Sequence, residues 1–362
     1  GFGPDFQRWI SVLTNNNQSC INHGGWLSVP FNVNCGIRQG CPFSPLAFVL
    51  AVELLAIKIR NSSIRGIQTP TTNPSKNIFI KIKQFADDTT LFLKNREDMI
   101  RALNILDTFE RFSGLKLNLN KTKALRIGRQ INDQELPFTL VDRVKILGVY
   151  FQADKMAKNI KENWESRIKT IQEMIIDWSK RDLSIHGKIL VIKTFLISQL
   201  TYIMQSIEIP EAVLSKIHYL LYKFIWQRKY SNRRAFEKVK RKVMEADYDK
   251  GGLNMINIHE IQQSIYLQWA GKLCSTKEEN WSIIPKWHLS RIISDTDIFK
   301  IYCRSIQIQN INDIQNEFWK QVLITYTDYK KPTNPKEVKA DNFVDQLLFY
   351  NDLIMYKRKH LY

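Results

Sequence analysis

Two adjacent acids, Asp87 and Asp88, are the residues of this sequence whose type and spacing point most directly to chemistry. Two neighbouring carboxylates repel each other unless a cation or a basic group lies between them. Hard divalent cations take oxygen ligands, so the pair predicts a Mg²⁺ site. An ordinary turn is the alternative, because aspartate tolerates turn geometry and caps backbone groups there.

The segments on either side of this pair favour β-strands. Isoleucine occupies every second position from 78 to 82, which is the period of a strand. Residues 89–93 are rich in Thr, Leu and Phe, and also suit a strand. The sequence therefore predicts a β-hairpin with the two acids at or near its tip.

The charge of the chain predicts a polyanionic partner. The 362 residues include 53 Lys and Arg against 35 Asp and Glu, a formal charge of +18. Such an excess predicts association with nucleic acid, and simple solubility is the alternative. The segment 228–242 alone holds eight basic residues and one acid. It is a candidate for phosphate contacts, or else a solvated face, through Arg228, Lys229, Arg233, Arg234, Lys240 and Arg241.

Compartment and membrane signals are weak. The five cysteines form no CxxC pair, so neither a zinc site nor a disulfide framework is indicated, and a reducing intracellular compartment fits.

The run 189–207 has about the length of a membrane span. Lys193 inside it favours a buried helix of a soluble domain, and a membrane segment is the alternative. No signal peptide is present at the start. The chain begins with Gly1 rather than Met, which predicts a fragment.

The order of the predicted elements indicates an α+β fold followed by helices. Apolar spacing, caps and glycine turns predict three helices, hairpins and several short strands up to residue 151, and three packed helices after it. The first part comprises a helix at 5–13, a hairpin around Gly24 and Gly25, a largely buried helix at 44–60, a helix from Asn95 to Gly114, a strand at 115–119, and β segments at 124–127 and 144–151. The helical part comprises 156–178, a helix or helix pair at 183–208, and a helix from Pro210 with Lys216 and Lys223 on its outer face.

Four short motifs follow one another along the chain. They are Arg38-Gln39-Gly40-Cys41-Pro42-Phe43-Ser44-Pro45, Phe85-Ala86-Asp87-Asp88, Ser113-Gly114-Leu115-Lys116-Leu117-Asn118 with Lys121, and Ile146-Leu147-Gly148-Val149. In this order they resemble the palm and thumb of LINE-type, non-LTR retrotransposon reverse transcriptases. The likeness continues more loosely through 183–188 and 251–254 to Asn351, so it covers nearly the whole chain.

The resemblance implies an RNA-directed DNA polymerase that adds nucleotides with two Mg²⁺ ions. Asp87 matches the essential carboxylate that binds metal, and Asp88 would be a second ligand or a charge support. Lys121 would neutralise or protonate the leaving pyrophosphate, and an exposed lysine without that role is the alternative. Phe85 would lie near the primer end, and a core position is the alternative.

Binding roles follow from the same resemblance. The residues that would contact nucleotide or template are Arg38, Gln39, Gly40, Phe85 and Ala86. Gly36 and Gly40 would allow the backbone to approach closely. Leu147 and Gly148 would grip the primer. The implied partners are an RNA template, a DNA primer and deoxynucleoside triphosphates, in a ribonucleoprotein of the nucleus and cytoplasm. Neither a membrane nor an oligomer is indicated. The implied domains are a partial palm at 1–155, a thumb at 156–227, and a basic linker with a helical C-terminal region at 228–362.

The sequence also departs from the family pattern. A palm needs a further carboxylate upstream, in an Ala-Phe-Asp-like segment, whereas Asp5 here fits a helix cap. The fingers, the endonuclease domain and the cysteine–histidine knuckle have no counterpart, and Phe43 stands where leucine is usual. We therefore expect little or no polymerase activity from this chain alone. A catalytically dead remnant that binds nucleic acid is the alternative function.

Overall fold

A computed structural model gives the arrangement of most of the chain. It describes residues 2–34, 36–37, 39–71, 78–128, 138–153, 156–227, 231, 233, 235–273, 280–290, 314, 316–330, 355–356 and 359–360. The chain divides into two compact units, one of residues 1–68 and 79–118, the other of 69–78 and 119–362. The predicted boundaries at 155 and 227 stay predictions.

The elements up to Ser113 alternate short strands with three helices. The helices are α1 (Pro4–Thr14), α2 (Ser44–Asn61) and α3 (Arg96–Ser113), as predicted. The strands are β1 (Gln18–Ser19), β2 (Asn22–His23), β3 (Trp26–Leu27), β4 (Phe31–Asn32), β5 (Ile67–Thr69), β6 (Ile78–Ile80), β7 (Ile82–Phe85) and β8 (Asp88–Leu91). Strands β1 and β4, and β2 and β3, pair antiparallel around the predicted glycine turn.

Helix α3 begins at a side-chain cap, as the sequence predicts. The Asn95 carboxamide oxygen accepts a hydrogen bond from the Asp98 backbone N–H at 2.9 Å. The helix ends at Gly114, whose φ of +70° is the left-handed conformation that glycine adopts at this position. The inner face of α3 packs on α2 and β7 in a cluster of Leu55, Ala56, Ile59, Ile64, Ile82 and Ala102.

The expectation that α2 is largely buried is wrong for the described residues. One face of α2, carrying Val52, Leu55, Ala56 and Ile59, is buried. Five large apolar side chains of this helix are exposed: Leu46, Val49, Leu50, Leu54 and Ile57. A helix that is apolar on most sides predicts burial, but its sequence cannot say which faces the rest of the fold covers.

The strand predicted at 115–119 is also absent. These residues have no regular structure, and Leu115 and Leu119 are exposed. Their apolar alternation gives a strand pattern, but a strand forms only with a partner beside it. The next strands are β9 (Lys123–Leu125), β10 (Thr139–Val141), β11 (Arg143–Ile146) and β12 (Val149–Gln152). Strands β9 and β10 pair parallel, and β11 and β12 pair antiparallel.

The α+β class is therefore confirmed, with helices and small, mostly antiparallel sheets. Each described sheet has two strands, so a continuous palm sheet is not formed among the described residues. The remaining short strands are β13 (Met355–Tyr356) and β14 (Lys359–His360).

The predicted three-helix unit is present after residue 155. It consists of α4 (Met156–Trp178), a long helical segment, and α7 (Glu211–Trp226). The long segment comprises α5 (Ile185–Val191), a π-helical turn at Ile192–Leu196, and α6 (Ser198–Met204). One large cluster that includes Trp164, Ile171, Ile192, Leu200 and Leu221 forms its core. Of the two lysines expected outside α7, Lys216 is exposed, but Lys223 is buried.

Further helices pack after the three-helix unit. They are α8 (Arg241–Glu245), α9 (Ile258–Leu273), α10 (Ile283–Ser290) and α11 (Glu317–Lys330). Trp269, Trp281 and Trp319 meet with ring centroids 5.1 to 6.4 Å apart, and Phe318 packs beside them. These contacts join α9 to α11 in a second core.

Residues Ile185–Met204 are long and apolar enough to cross a membrane. Half of this apolar stretch is buried in the protein. Four of its residues belong to the core of the three-helix unit: Ile189, Ile192, Leu196 and Leu200. This burial favours a core helix over a membrane span.

Acidification is expected to destabilise the helical unit through His218 of α7. Its Nε2 is buried without a hydrogen bond, and its ring lies 5.5 Å from that of His259. Burial, then His259 and Arg241, lower the pKa of His218 below its ordinary 6.5, although Glu245 and Glu211 oppose them. The unfolded chain therefore binds a proton that the folded chain resists, so the free energy of unfolding falls as pH drops through about 6.5.

Urea unfolding at several pH values from 7.5 to 5.5 measures this effect. The His218→Gln variant is expected to lose part of the pH dependence, because its side chain does not titrate. His23→Gln, a change at an exposed histidine of β2, is the control and should keep the wild-type dependence. Equal dependence in the His218→Gln variant and the unchanged chain would contradict the assignment.

Candidate functional site

The predicted acidic hairpin is present in the structure. Strands β7 and β8 pair antiparallel, with Phe85 opposite Asp88 and the turn formed by Ala86 and Asp87. The Gln84 carboxamide donates a hydrogen bond to the Thr89 hydroxyl at 3.2 Å across the strands. The pairing places Asp87 in the turn and Asp88 at the first position of β8.

The turn holds Ala86 in an unusual backbone conformation. Its φ is +50°, and a two-residue turn with positive φ at its first position alone normally has glycine there. An alanine in this region costs about 1 kcal/mol, and such strain concentrates at functional sites. In the described part of the chain, four residues other than glycine have positive φ. Two of these, Ala86 and Leu147, lie at predicted site positions.

Both carboxylates at the tip are exposed. Among the described residues, no basic side chain pairs with Asp87 or Asp88, and neither carboxylate accepts a hydrogen bond. Two accessible carboxylates fit a hydrated Mg²⁺, which binds through one or two carboxylates together with substrate phosphates. Within the described ranges, no group of three or more His, Cys, Asp or Glu could hold a metal ion by itself. The tip therefore offers at most a partial ligand set, and metal binding by Asp87 and Asp88 stays a prediction.

Phe85 lies beside the acids and is exposed. Its side chain is 67% accessible, so the alternative that it belongs to the core is not supported. In the loop before α2, Gln39 and Gly40 are exposed, and Gly40 has a φ of +82° with open space around it. Arg38 lies outside the described residues. The roles of Phe85, Ala86, Gln39 and Gly40 toward nucleotide or template stay predictions.

The predicted primer grip is a second tight hairpin. Leu147 and Gly148 form the turn between β11 and β12, with φ of +45° and +81°. Positive φ at both positions is the pattern of a type I′ turn. The buried Asn163 side chain of α4 pairs with the backbone of Tyr150, accepting from its N–H and donating to its carbonyl at 2.9 Å each. This pairing fixes β12 on α4, and sequence reasoning missed it.

Lys121 is exposed and lies in a turn before β9. It belongs to the compact unit that starts again at residue 119, whereas Asp87 and Asp88 belong to the other. The predicted role of Lys121 toward pyrophosphate stays a prediction.

The basic segment after α7 contains both exposed and engaged cations. Arg233 and Lys240 are exposed, as are Lys238 and Lys242, whereas Arg228, Lys229 and Arg234 lie outside the described residues. Arg241 binds Glu237 through two hydrogen bonds of 2.6 and 3.0 Å, and its guanidinium lies 4.5 Å from the Tyr222 ring. The bond to Glu237 raises the pKa of Arg241. These contacts support a structural role, and phosphate binding by Arg241 stays a prediction.

A buried lysine closes α7 just before this segment. The Lys188 ammonium donates to the carbonyls of Gln227 at 2.6 Å and Ile225 at 3.3 Å. A cation at the C-terminal end of a helix stabilises its unpaired carbonyls. Burial lowers the pKa of Lys188, and the nearby Asp182 opposes that shift. The Leu183–Lys188 motif thus has a structural role that its sequence did not reveal.

Comparison with known proteins places these motifs in a family context. Residues 5–151 match the family described as reverse transcriptase (RNA-dependent DNA polymerase). The chain is 24% identical over 237 residues to the transposon TX1 uncharacterized 149 kDa protein of Xenopus laevis, covering 63% of the chain and 18% of that protein.

Two further relatives carry the name retrovirus-related Pol polyprotein. One is from the type-1 retrotransposable element R2 of Popillia japonica, 22% identical over 60% of the chain and 36% of that protein. The other is from the type-2 element R2DM of Drosophila melanogaster, 24% identical over 61% of the chain and 21% of that protein. The aligned part is therefore about a third of these relatives' length or less. The predicted resemblance to LINE-type reverse transcriptases is confirmed.

Proposed function

We propose, from the premise that residues 5–151 match the reverse transcriptase family, that this chain is part of an RNA-directed DNA polymerase of a non-LTR retrotransposon. Its substrates would be an RNA template, a DNA primer and deoxynucleoside triphosphates. Residues 1–155 would form part of the palm and 156–227 the thumb.

The observation that carries the proposal is the tip of the β7–β8 hairpin. Two unneutralised carboxylates lie at this tip, Asp87 in the two-residue turn and Asp88 at the start of β8, and the first residue of the turn is the strained, non-glycine Ala86. A merely structural turn has no need of either feature, since a glycine would remove the strain and one acid would suffice as a cap.

The hairpin residues have distinct roles in this proposal. Asp87 would hold a divalent cation directly, and Asp88 would share that ion or balance its charge. When bound, such an ion lowers the charge on the transferring phosphoryl group and activates the attacking primer oxygen. The exposed Phe85 ring would pack near the primer end, and the open backbone at Gly40 would admit template or nucleotide.

A catalytically dead nucleic-acid-binding remnant is the second candidate. The observation that favours it is the partial ligand set, because the described residues supply two acids and no third ligand. The test is RNA-templated primer extension by a reconstructed full-length polymerase containing this chain, beside the chain alone. Extension by the full-length protein only would support the enzyme, and duplex binding without extension by either would support the remnant.

Nucleic-acid binding by the chain is expected to weaken steeply with salt. The described residues expose four cations between 233 and 242, and each phosphate neutralised by a cation releases a counterion. Four such contacts predict a loss of affinity of about 100-fold for an RNA–DNA duplex between 50 and 200 mM salt. Fluorescence anisotropy across a salt series measures the slope.

Substitution of two of these lysines tests whether the segment contacts phosphates. The double variant Lys238→Gln, Lys240→Gln should reduce the logarithmic salt slope by about two, uniformly across duplex sequences. Lys250→Gln is the matched control, because Lys250 lies after this segment, is exposed, and pairs with Asp247 at 2.9 Å. A slope equal to that of the control would show that this segment makes no phosphate contact.

A further inference from the structure

The turn between β11 and β12 is held by two helices through its carbonyl groups. The Tyr202 hydroxyl of α6 donates to the Leu147 carbonyl at 2.5 Å. The Arg167 guanidinium of α4 donates to the Gly148 carbonyl at 3.4 Å. Both acceptors of this two-residue turn are therefore engaged by side chains from the three-helix unit.

The geometry of the turn requires such support. Leu147 has a φ of +45°, a conformation that non-glycine residues rarely adopt unless their surroundings hold it. The Tyr202 ring lies close beside the turn, since a Cβ added at Gly148 would be 3.5 Å from its Cε1 atom. Tyr202 thus fixes the turn by contact as well as by its hydrogen bond.

The donors of the turn are left available. Among the described residues, the backbone N–H groups of Leu147 and Gly148 have no hydrogen-bond acceptor. With its carbonyls covered and a guanidinium beside it, the turn offers hydrogen-bond donors and positive charge. Oriented backbone N–H groups next to a cation bind anions, and phosphate is the anion that a nucleic-acid strand supplies.

We infer that Tyr202 and Arg167 are positioning residues that hold the Leu147–Gly148 turn in a donor-only form, where it binds one backbone phosphate of a nucleic-acid strand. The inference rests on the proposed function, because it takes the partner of this turn to be the primer strand. It adds two residues to the predicted primer grip and assigns them a specific role.

Hydrogen exchange of the free chain tests the positioning role without nucleic acid. In the Tyr202→Phe variant, the paired amides of Ile146 and Val149 should exchange at least about fivefold faster, because the turn loses a hydrogen bond. Tyr219→Phe is the matched control: Tyr219 is exposed on α7, and its hydroxyl makes no hydrogen bond within the described residues. Unchanged exchange in Tyr202→Phe would overturn the positioning role.

A phosphate scan tests the binding role. A set of RNA–DNA duplexes, each with one neutral methylphosphonate in the DNA strand, is titrated with the unchanged chain, Tyr202→Phe, Arg167→Met and the control Tyr219→Phe. At one position, the methylphosphonate should lower the affinity of the unchanged chain about threefold to tenfold. It should lower the affinity of Tyr202→Phe and Arg167→Met much less, because their contact with that phosphate is already weakened.

The outcomes separate the two proposals. No duplex binding by the unchanged chain at 50 mM salt would refute the proposed function, and the phosphate assignment with it. Binding with equal methylphosphonate costs in the unchanged chain, Tyr202→Phe and Arg167→Met would overturn the inference and leave the proposed function standing. Equal costs in the unchanged chain and Tyr219→Phe, with reduced costs in the other two variants, are the expected result.

Discussion

Asp87→Asn is expected to lower primer extension by a reconstructed full-length polymerase by about 1,000-fold or more, with duplex affinity nearly unchanged. The amide keeps the size of the side chain but removes the charge that holds a divalent cation, and such a cation contributes several kcal/mol to phosphoryl transfer. Steady-state extension of a labelled DNA primer on an RNA template measures the first quantity, and anisotropy measures the second.

The control for this change is Asp107→Asn. Asp107 is an exposed aspartate of α3 whose only described partner is Arg111, 2.7 Å away on the helix surface. Its replacement should alter extension less than twofold, since an exposed ion pair contributes little to stability. Full extension by the Asp87→Asn protein would show that the acidic tip is an ordinary turn.

Asp98→Ala is expected to destabilise the unit of residues 1–68 and 79–118 by about 3 kcal/mol. Asp98 is fully buried, and its carboxylate accepts hydrogen bonds of 3.2 Å from the backbone N–H groups of Arg65 and Lys94. The guanidinium of Arg101 lies 3.5 Å away. Alanine would leave these partly buried donors without an acceptor, which is costly. Urea unfolding followed by hydrogen exchange of the α3 amides measures the loss.

The neighbouring Glu97 provides a sensitive comparison. It precedes Asp98 in the same helical turn but is 70% exposed and lies 3.6 Å from Arg101. Glu97→Ala should change the free energy of unfolding by less than about 0.5 kcal/mol. Similar losses in both variants would mean that Asp98 acts only through the helix dipole, as an acid in the first turn of a helix does.

Local signals in the sequence were sufficient for most elements. The cap at Asn95, the glycine at 114 and the alternation before Asp87 predicted α3 and the acidic hairpin, because each signal acts within a few residues. Failures occurred where distant parts of the chain decide the outcome. The exposed face of α2 and the missing strand at 115–119 both depend on what packs beside them, which no local pattern contains.

The candidate site shows the same division. Asp87, Asp88, Leu147 and Gly148 were found from short motifs, since the type and order of residues carry the resemblance. Tyr202 is 55 residues from the carbonyl that it holds, and Asn163 is 13 from its strand partner. Such contacts depend on how helices pack after folding, so a single sequence did not reveal them.

The π-helical turn at Ile192–Leu196 has a consequence for how this segment can change in evolution. A π-turn accommodates one extra residue, so it offsets the faces of α5 and α6 by about 100° relative to a continuous α-helix. Lys188 before it and Tyr202 after it can therefore contact different neighbours. These are the C-terminal end of α7 and the Leu147–Gly148 turn. Point substitutions within 192–196 preserve that offset. Deletion of a single residue there would leave a helix but would rotate one of its ends away from the neighbour that it contacts.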